Sequence, residues 1–167
     1  MSIENDDDLL LERQLCFALS VASRSVIAAY RPVLEELDLT HPQYLVMLAL
    51  WEQSPRNVRG IGDALAMESA TLSPMLKRLE ALGLLTRTRV PGNERALAVT
   101  LTDAGVALRE RALAVPTTMM ERLDLTREQV DALNEAMHAI IRATGTALAS
   151  STAPTAPPIG SNPRTRP

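Results

Sequence analysis

The chain has 167 residues, 46% of them hydrophobic and only 2% aromatic, with one cysteine and a formal net charge of −3. Its length suits one domain with a core built mostly from Leu, Ala, Val, Ile and Met, and a lone cysteine excludes a disulfide framework within the chain. No stretch reaches the ~20 apolar residues that cross a bilayer, and the acidic opening MSIENDDD lacks the basic start of a signal peptide, so a cytoplasmic protein with no membrane partner is expected.

Asp6, Asp7 and Asp8 are placed to cap and charge the start of a first helix. That helix contains LERQLCFALSVASRSVIAAY and should end near Tyr30, before Pro32. Helical spacing puts Cys16, Leu19, Ser23, Ile27 and Tyr30 on one face. A short helix, PVLEELDL, is expected next. Thr40 then caps a buried helix, PQYLVMLALWEQS, with Pro42 at its second position and Pro55 beyond its end.

VRGIGDALAM reads as a short helix and SATLSPMLKRLEALG as another, with Ser69 as N-cap and Gly83 as C-cap. Leu72, Met75, Leu76, Leu79 and Leu82 mark its buried stripe. Its opposite face carries Ala70, Ser73, Pro74 and Lys77. LLTRTRV and ALAVTLT read as strands joined by the turn PGNER, in which Gly92 and Asn93 suit positive φ. Thr102 and Asp103 start a further helix, interrupted near Pro116, and Thr126 caps a last one, REQVDALNEAMHAIIRATGTAL. From Ala149 onward the tail is Pro-rich and nearly free of large apolar residues, which predicts disorder.

Two short helices followed by a hairpin form a winged-helix pattern, so the expected fold is mainly α (α+β). The charge is uneven in a way that fits. Residues 56–111 hold nine Lys/Arg against six Asp/Glu, while residues 1–55 hold three against nine. A locally basic middle third suits a polyanionic partner despite the negative total.

These segments resemble the multiple antibiotic resistance regulator (MarR) family over roughly residues 8–147. The carriers are ATLSPMLKRLEALGLLTR, the wing ending in NERALAVTLTDAG, and LTHPQYLVMLALWE. The first helix, LERQLCFALSVASR, narrows the likeness to the organic hydroperoxide sensor (OhrR) branch, in its one-cysteine form. The resemblance implies a homodimer in which N- and C-terminal helices form a dimerisation domain and two winged helix-turn-helix units straddle a palindromic operator in double-stranded DNA. On that frame, residues 1–55 dimerise and carry the redox-sensing cysteine. Residues 56–101 form the winged helix-turn-helix, 102–148 the C-terminal dimerisation helices, and 149–167 the disordered tail.

Cys16 is the implied redox-sensing residue. Only a thiolate attacks peroxide, so such a sulfur needs access and stabilisation of its anion. From spacing alone, a lone thiol on an apolar helix reads first as an ordinary packed residue, and it is the resemblance that favours sensing. The resemblance makes Tyr30 the partner of the thiol. Fourteen helical residues span ~21 Å, so Tyr30 cannot touch Cys16 of its own helix, and if the two meet, Tyr30 comes from the other subunit. Related sensors carry tyrosines where this chain has Ser20 and His41. His41 could still donate a hydrogen bond, and its charge could lower a nearby thiol pKa.

On the recognition helix, Ser69, Ala70, Thr71, Ser73, Pro74 and Lys77 are expected to meet the major groove, with Lys77 and Arg78 directed at phosphates. Arg87 and Arg89 are expected to add phosphate contacts. Arg95 corresponds to the family's minor-groove arginine. The family's usual Asp two residues before it is Asn93 here, with Glu94 as its possible substitute. His138 reads as a packed or surface residue, and two histidines with one distant cysteine make a poor metal site, so no metal and no cofactor are expected.

The expected function is a transcriptional repressor released from its operator when organic hydroperoxide oxidises Cys16, with a low-molecular-weight thiol as a further candidate partner. Two alternatives remain open at this level: a repressor that responds to a small aromatic ligand, and a thiol peroxidase. The second lacks a resolving thiol or an acid–base set, and no phosphate loop or nucleophile elbow is visible, so no enzymatic role is expected.

Overall fold

A computed structural model describes residues 7–90 and 93–151, apart from the side chains of 90–96 and 146–151. The chain forms two compact units, Met1–Asp124 and Leu125–Pro167.

The first unit begins with two 3-10 turns, Asp7–Leu9 and Leu11–Arg13, followed by α1 (Leu15–Glu35) and α2 (His41–Glu52). Next come β1 (Arg56–Asn57), α3 (Val58–Leu65), α4 (Ser69–Ala81), β2 (Leu85–Val90) and β3 (Asn93–Leu101), then α5 (Asp103–Ala112) and α6 (Val115–Leu123). The strands make one antiparallel sheet in the order β1-β3-β2. The second unit holds α7 (Arg127–Ser151). Among the described residues, no helix is long and apolar enough to cross a membrane.

Side-chain caps set several helix starts. Thr40 and Gln43 form a capping box on α2, with Gln43 Oε1 accepting from the Thr40 N–H at 2.9 Å. Asn57 Oδ1 accepts from Gly60 N at 2.6 Å to open α3, and Thr102 Oγ1 accepts from Gly105 N at 3.1 Å to open α5. Thr126 and Gln129 repeat the reciprocal pattern before α7, at 2.8 and 3.3 Å.

The core gathers around α2, which buries Tyr44, Val46, Met47, Ala49 and Leu50 on nearly every side. Leu34, Ile61, Leu72, Leu76, Leu79, Leu85 and Val99 close on it, each at most 1% exposed. Gly105 of α5 lies so close to the wing that an added Cβ would stand 2.0 Å from the Leu84 carbonyl oxygen. Only glycine allows that approach.

The structure departs from several sequence expectations. α1 starts at Leu15 rather than at the aspartates, because Asp7 and Asp8 lie in the first of the two 3-10 turns and face Arg13 of the second at 3.6 and 3.9 Å. The Gln14 side chain folds back on the Asp8 carbonyl, and Gln14 precedes α1 without a side-chain cap. α1 also runs through Pro32 to Glu35, so PVLEELDL is not a separate helix. An interior proline costs about 3 kcal/mol. Full burial of Leu34, with Val33 packed on the core, returns about 1.5–3 kcal/mol per large aliphatic side chain, which is comparable.

Ser69 is the first residue of α4, with Glu68 at the N-cap, and Gly83 lies one past the Leu82 C-cap at φ +73°. Leu82 is 38% exposed, off the buried stripe, because the helix has already ended there. Asn93 to Arg95 belong to β3, with Asn93 paired to Val90, rather than to a turn. Gly92 lies outside the described residues. β1 was not anticipated, since two residues carry no periodicity. α7 continues to Ser151, past the expected start of the tail at Ala149, and residues 152–167 lie outside the described residues.

Candidate DNA-reading face and thiol site

α4 presents its expected face to solvent. Ser69, Ala70, Thr71, Ser73, Pro74, Lys77 and Arg78 are all exposed, while Leu72, Leu76 and Leu79 anchor the opposite side. The Ser73 hydroxyl donates to the Ser69 carbonyl at 2.8 Å, which leaves its oxygen free to accept.

The wing follows at once. Arg87 and Arg89 share one face of β2 by strand alternation. Arg89 is exposed and makes no ion pair among the described residues. Arg87 was expected to contact phosphate, but it is turned inward onto Glu80 of α4. Its Nε and Nη2 donate to Glu80 Oε2 at 2.9 and 2.5 Å, and its backbone N–H donates to Glu80 Oε1 at 3.0 Å. The hydrogen bond from the Arg87 side chain is the main cause that holds the Glu80 carboxyl below its ordinary range. These contacts clasp the wing to the end of the recognition helix. Sequence reasoning missed Glu80 because nothing local marks a glutamate that pairs seven residues on, across a turn. Arg95 lies in β3, and its side chain is outside the described residues, as are those of Asn93 and Glu94.

Cys16 is the second residue of α1 and is exposed. The first turn of a helix gathers backbone N–H groups without intrahelical partners. Leu15 and Phe17 beside it, and Val21 and Ile27 further along α1, are 60, 38, 37 and 42% exposed. Of the face expected from helical spacing, Cys16, Ser23 and Ile27 are open to solvent, and Leu19 and Tyr30 are half-buried.

Tyr30 and His41 are brought together, with ring centroids 5.7 Å apart and edge-on. Tyr30 in turn meets Tyr44 at 6.3 Å, and Tyr44 meets Trp51 at 6.3 Å. Trp51 Nε1 donates to the Gly105 carbonyl at 2.9 Å, which ties this row of rings to α5. Burial raises the Tyr30 pKa, so its phenol stays protonated and able to donate. Burial also lowers the His41 pKa from 6.5. The charged form of His41 is disfavoured in the single chain. The unbroken helix from Leu15 to Glu35 keeps Cys16 and Tyr30 of one chain ~21 Å apart. His138 is exposed on α7, with its Nδ1 2.7 Å from the Asn134 carbonyl oxygen. Among the described residues, no cluster of His, Cys, Asp and Glu is suited to a metal.

An exposed helix of small and cationic side chains, followed by a clasped antiparallel hairpin, defines a winged helix-turn-helix protein. The sequence pattern of the MarR family matches residues 39–97. The organic hydroperoxide resistance transcriptional regulator of Bacillus subtilis (strain 168) is 39% identical over 135 residues, which cover 81% of this chain and 92% of that protein. The structure is also similar to that of reduced AbfR bound to DNA, with a TM-score of 0.74 and 32% identity over 86% of this chain and 99% of that one. Overoxidised AbfR bound to DNA gives a TM-score of 0.68 and 33% identity over 84% and 98%. The chain belongs to the MarR family.

Proposed function

We propose that this protein is a cytoplasmic, dimeric transcriptional repressor that leaves its operator when an organic hydroperoxide oxidises Cys16. The observation that carries this reading is an exposed thiol in the first turn of α1, in a chain whose relatives include an organic hydroperoxide resistance regulator. The thiolate attacks the terminal peroxide oxygen, the O–O bond breaks, and the sulfur keeps the OH as a sulfenic acid. The alkoxide takes a proton and leaves as an alcohol. A low-molecular-weight thiol then condenses with the sulfenic acid, releasing water and leaving a mixed disulfide. One equivalent of peroxide is consumed, as in a switch rather than an enzyme.

Tyr30 and His41 of the second subunit serve as neutral hydrogen-bond donors to the sulfur. Residues 56–101 read DNA, and residues 1–55 and 102–148 dimerise. In each reading unit the exposed side chains of Ser69, Ala70, Thr71, Ser73, Pro74 and Lys77 enter the major groove. Lys77, Arg78 and Arg89 meet phosphates, and Arg95 reaches the minor groove. Arg87 positions the wing through Glu80 instead of contacting phosphate itself. Half-sites lie about 34–36 Å apart, so a small change in the separation of the two α4 helices is enough to lose the operator.

The test is fluorescence anisotropy on A·T-rich palindromic DNA titrated with cumene hydroperoxide. Unmodified protein should be released, and Cys16→Ser should bind but ignore the peroxide. Equal release of both proteins would refute the thiol mechanism. Release of neither would leave a regulator driven by some other ligand.

A further inference from the structure

The rings packed across α1 and α2 end in a directional contact. Tyr30, half-buried on α1, meets Tyr44 at 6.3 Å, and Tyr44 meets Trp51 at 6.3 Å. Trp51 Nε1 then donates to the Gly105 carbonyl at 2.9 Å, a partner 54 residues along the chain. Ring contacts pass on a push, whereas a hydrogen bond also fixes where the push arrives.

It arrives where α5 is joined to the end of the recognition helix. Thr102, just before α5, donates through its hydroxyl to the Gly83 carbonyl at 2.6 Å and through its N–H to the Leu84 carbonyl at 3.1 Å. Gly105 packs on the Leu84 carbonyl with no space for a Cβ. Leu84 N in turn donates to the Leu79 carbonyl of α4 at 3.1 Å. Backbone packed this closely moves as a block, so a shift of the α5 start takes the last turn of α4 with it. The other end has freedom. Tyr44 and Trp51 border an open cavity of about 270 Å³, beside Leu48, Leu113 and Pro116, into which their rings can tilt.

We infer that Trp51 is a positioning residue of the redox switch, whose N–H couples Tyr30 to the start of α5 and so to the setting of α4. The inference rests on the proposed function, in which Tyr30 faces the thiol of the second subunit. It adds the residue through which oxidation of that thiol reaches the DNA-reading face. Oxidised sulfur is bulkier than the thiolate and displaces Tyr30. Tyr44 and Trp51 tilt into the cavity, and the bond to Gly105 draws the end of α4 along. Without the indole N–H the rings still tilt. The reading unit then stays where Thr102, Gly105 and the Glu80–Arg87 contacts hold it. Such a protein is oxidised normally but does not leave its operator.

The test is Trp51→Phe in the full chain, which keeps a ring against Tyr44 and removes the donor. The Gly105 carbonyl stays in the hydrogen-bond ladder of α5, so no acceptor is orphaned. Operator affinity is measured by anisotropy at fixed salt, before and after cumene hydroperoxide, and free-thiol titration verifies complete oxidation of Cys16. The unmodified protein supplies the reference ratio of oxidised to reduced Kd. Reduced Trp51→Phe should bind within about threefold of it, and its ratio should fall by about tenfold, a size ordinary for allosteric coupling. A structural role alone would weaken both states equally and leave the ratio intact, which overturns the proposal. Reduced binding weakened by more than about threefold also overturns it, since Trp51 would then support the reading unit itself. If Trp51→Phe fails to fold, β-(3-benzothienyl)alanine in place of the single tryptophan keeps the shape and removes only the N–H, and the same ratio decides. Arg111→Met removes another link, the side-chain bond from α5 to the Glu36 carbonyl at the end of α1. It should keep the full ratio, and a loss equal to that of Trp51→Phe overturns the assignment. An unmodified protein that ignores peroxide defeats the thiol reading itself, whereas a responsive one with an unchanged variant ratio defeats only the role of Trp51.

Discussion

The DNA-reading half and the N-terminal half both expose the residues expected to act, but the two exposures are chemically opposite. α4 shows small, hydroxyl and cationic groups, and beneath them Leu72, Leu76 and Leu79 are sealed to 1% exposure or less. Its wing is fastened by the Glu80–Arg87 contacts. The N-terminal half shows leucines, Phe17 and a thiol, and only Leu34 of α1 is buried. A polar face is comfortable in water and waits for an optional partner. An apolar face is costly in water and needs a permanent one. One chain already presents the polar α4 face, while the apolar N-terminal face is what a second copy would cover in the proposed dimer.

The sharpest way to break this contrast is to empty the core under the recognition helix. Leu76→Ala should lower the unfolding free energy by about 2–5 kcal/mol while leaving the dimer dissociation constant nearly unchanged. Leu15→Ala should do the reverse. Chemical denaturation and analytical ultracentrifugation read the two quantities, and equal behaviour of the two variants would erase the distinction.

A smaller effect is expected where α5 joins the wing. The Thr102 hydroxyl caps α5 and also donates to the Gly83 carbonyl at 2.6 Å. Thr102→Val should therefore cost about 1–2 kcal/mol in thermal unfolding.

The two wing arginines should separate by salt. Arg89→Ala should lower the slope of log affinity against log salt by about one, the value for a single phosphate that is no longer neutralised. Arg87→Ala should weaken binding with little change in slope, because its guanidinium is held by Glu80. An equal drop in slope with Arg87→Ala would show that it leaves Glu80 for phosphate.

The smallest effect is in the acid range. Glu80 has a carboxyl pKa lowered in the folded state, so the unfolded chain binds its proton more readily. Its stabilising contribution is present above the ordinary carboxylate pKa and fades as pH falls below it. Glu80→Gln should flatten that limb of the stability profile, which urea melts from pH 6 to 3 would detect. His41 follows the same sign at higher pH, losing stability as pH falls through about 6.5, since burial disfavours its charged form.

Much of this molecule was legible residue by residue. Thr40, Thr102 and Thr126 cap the helices they were expected to cap, and the exposed face of α4 matches the pattern of small and polar positions. These features depend on contacts within four residues, so local order reveals them. α1 passing through Pro32 was not legible, because the burial that offsets the proline comes from residues far along the chain. The Glu80–Arg87 clasp and the row from His41 to Trp51 were equally hidden, since helix packing and strand pairing create them.

The sequence by itself determined the helix periods and caps, the basic middle third, the single thiol and the kinship with MarR regulators. The tertiary structure alone decided that Arg87 is held by Glu80, that burial disfavours the charged form of His41, and that the leucines before α1 stand in water. Periodicity and capping are short-range and written in order along the chain. Burial, charge state and exposure depend on every neighbour that folding brings close.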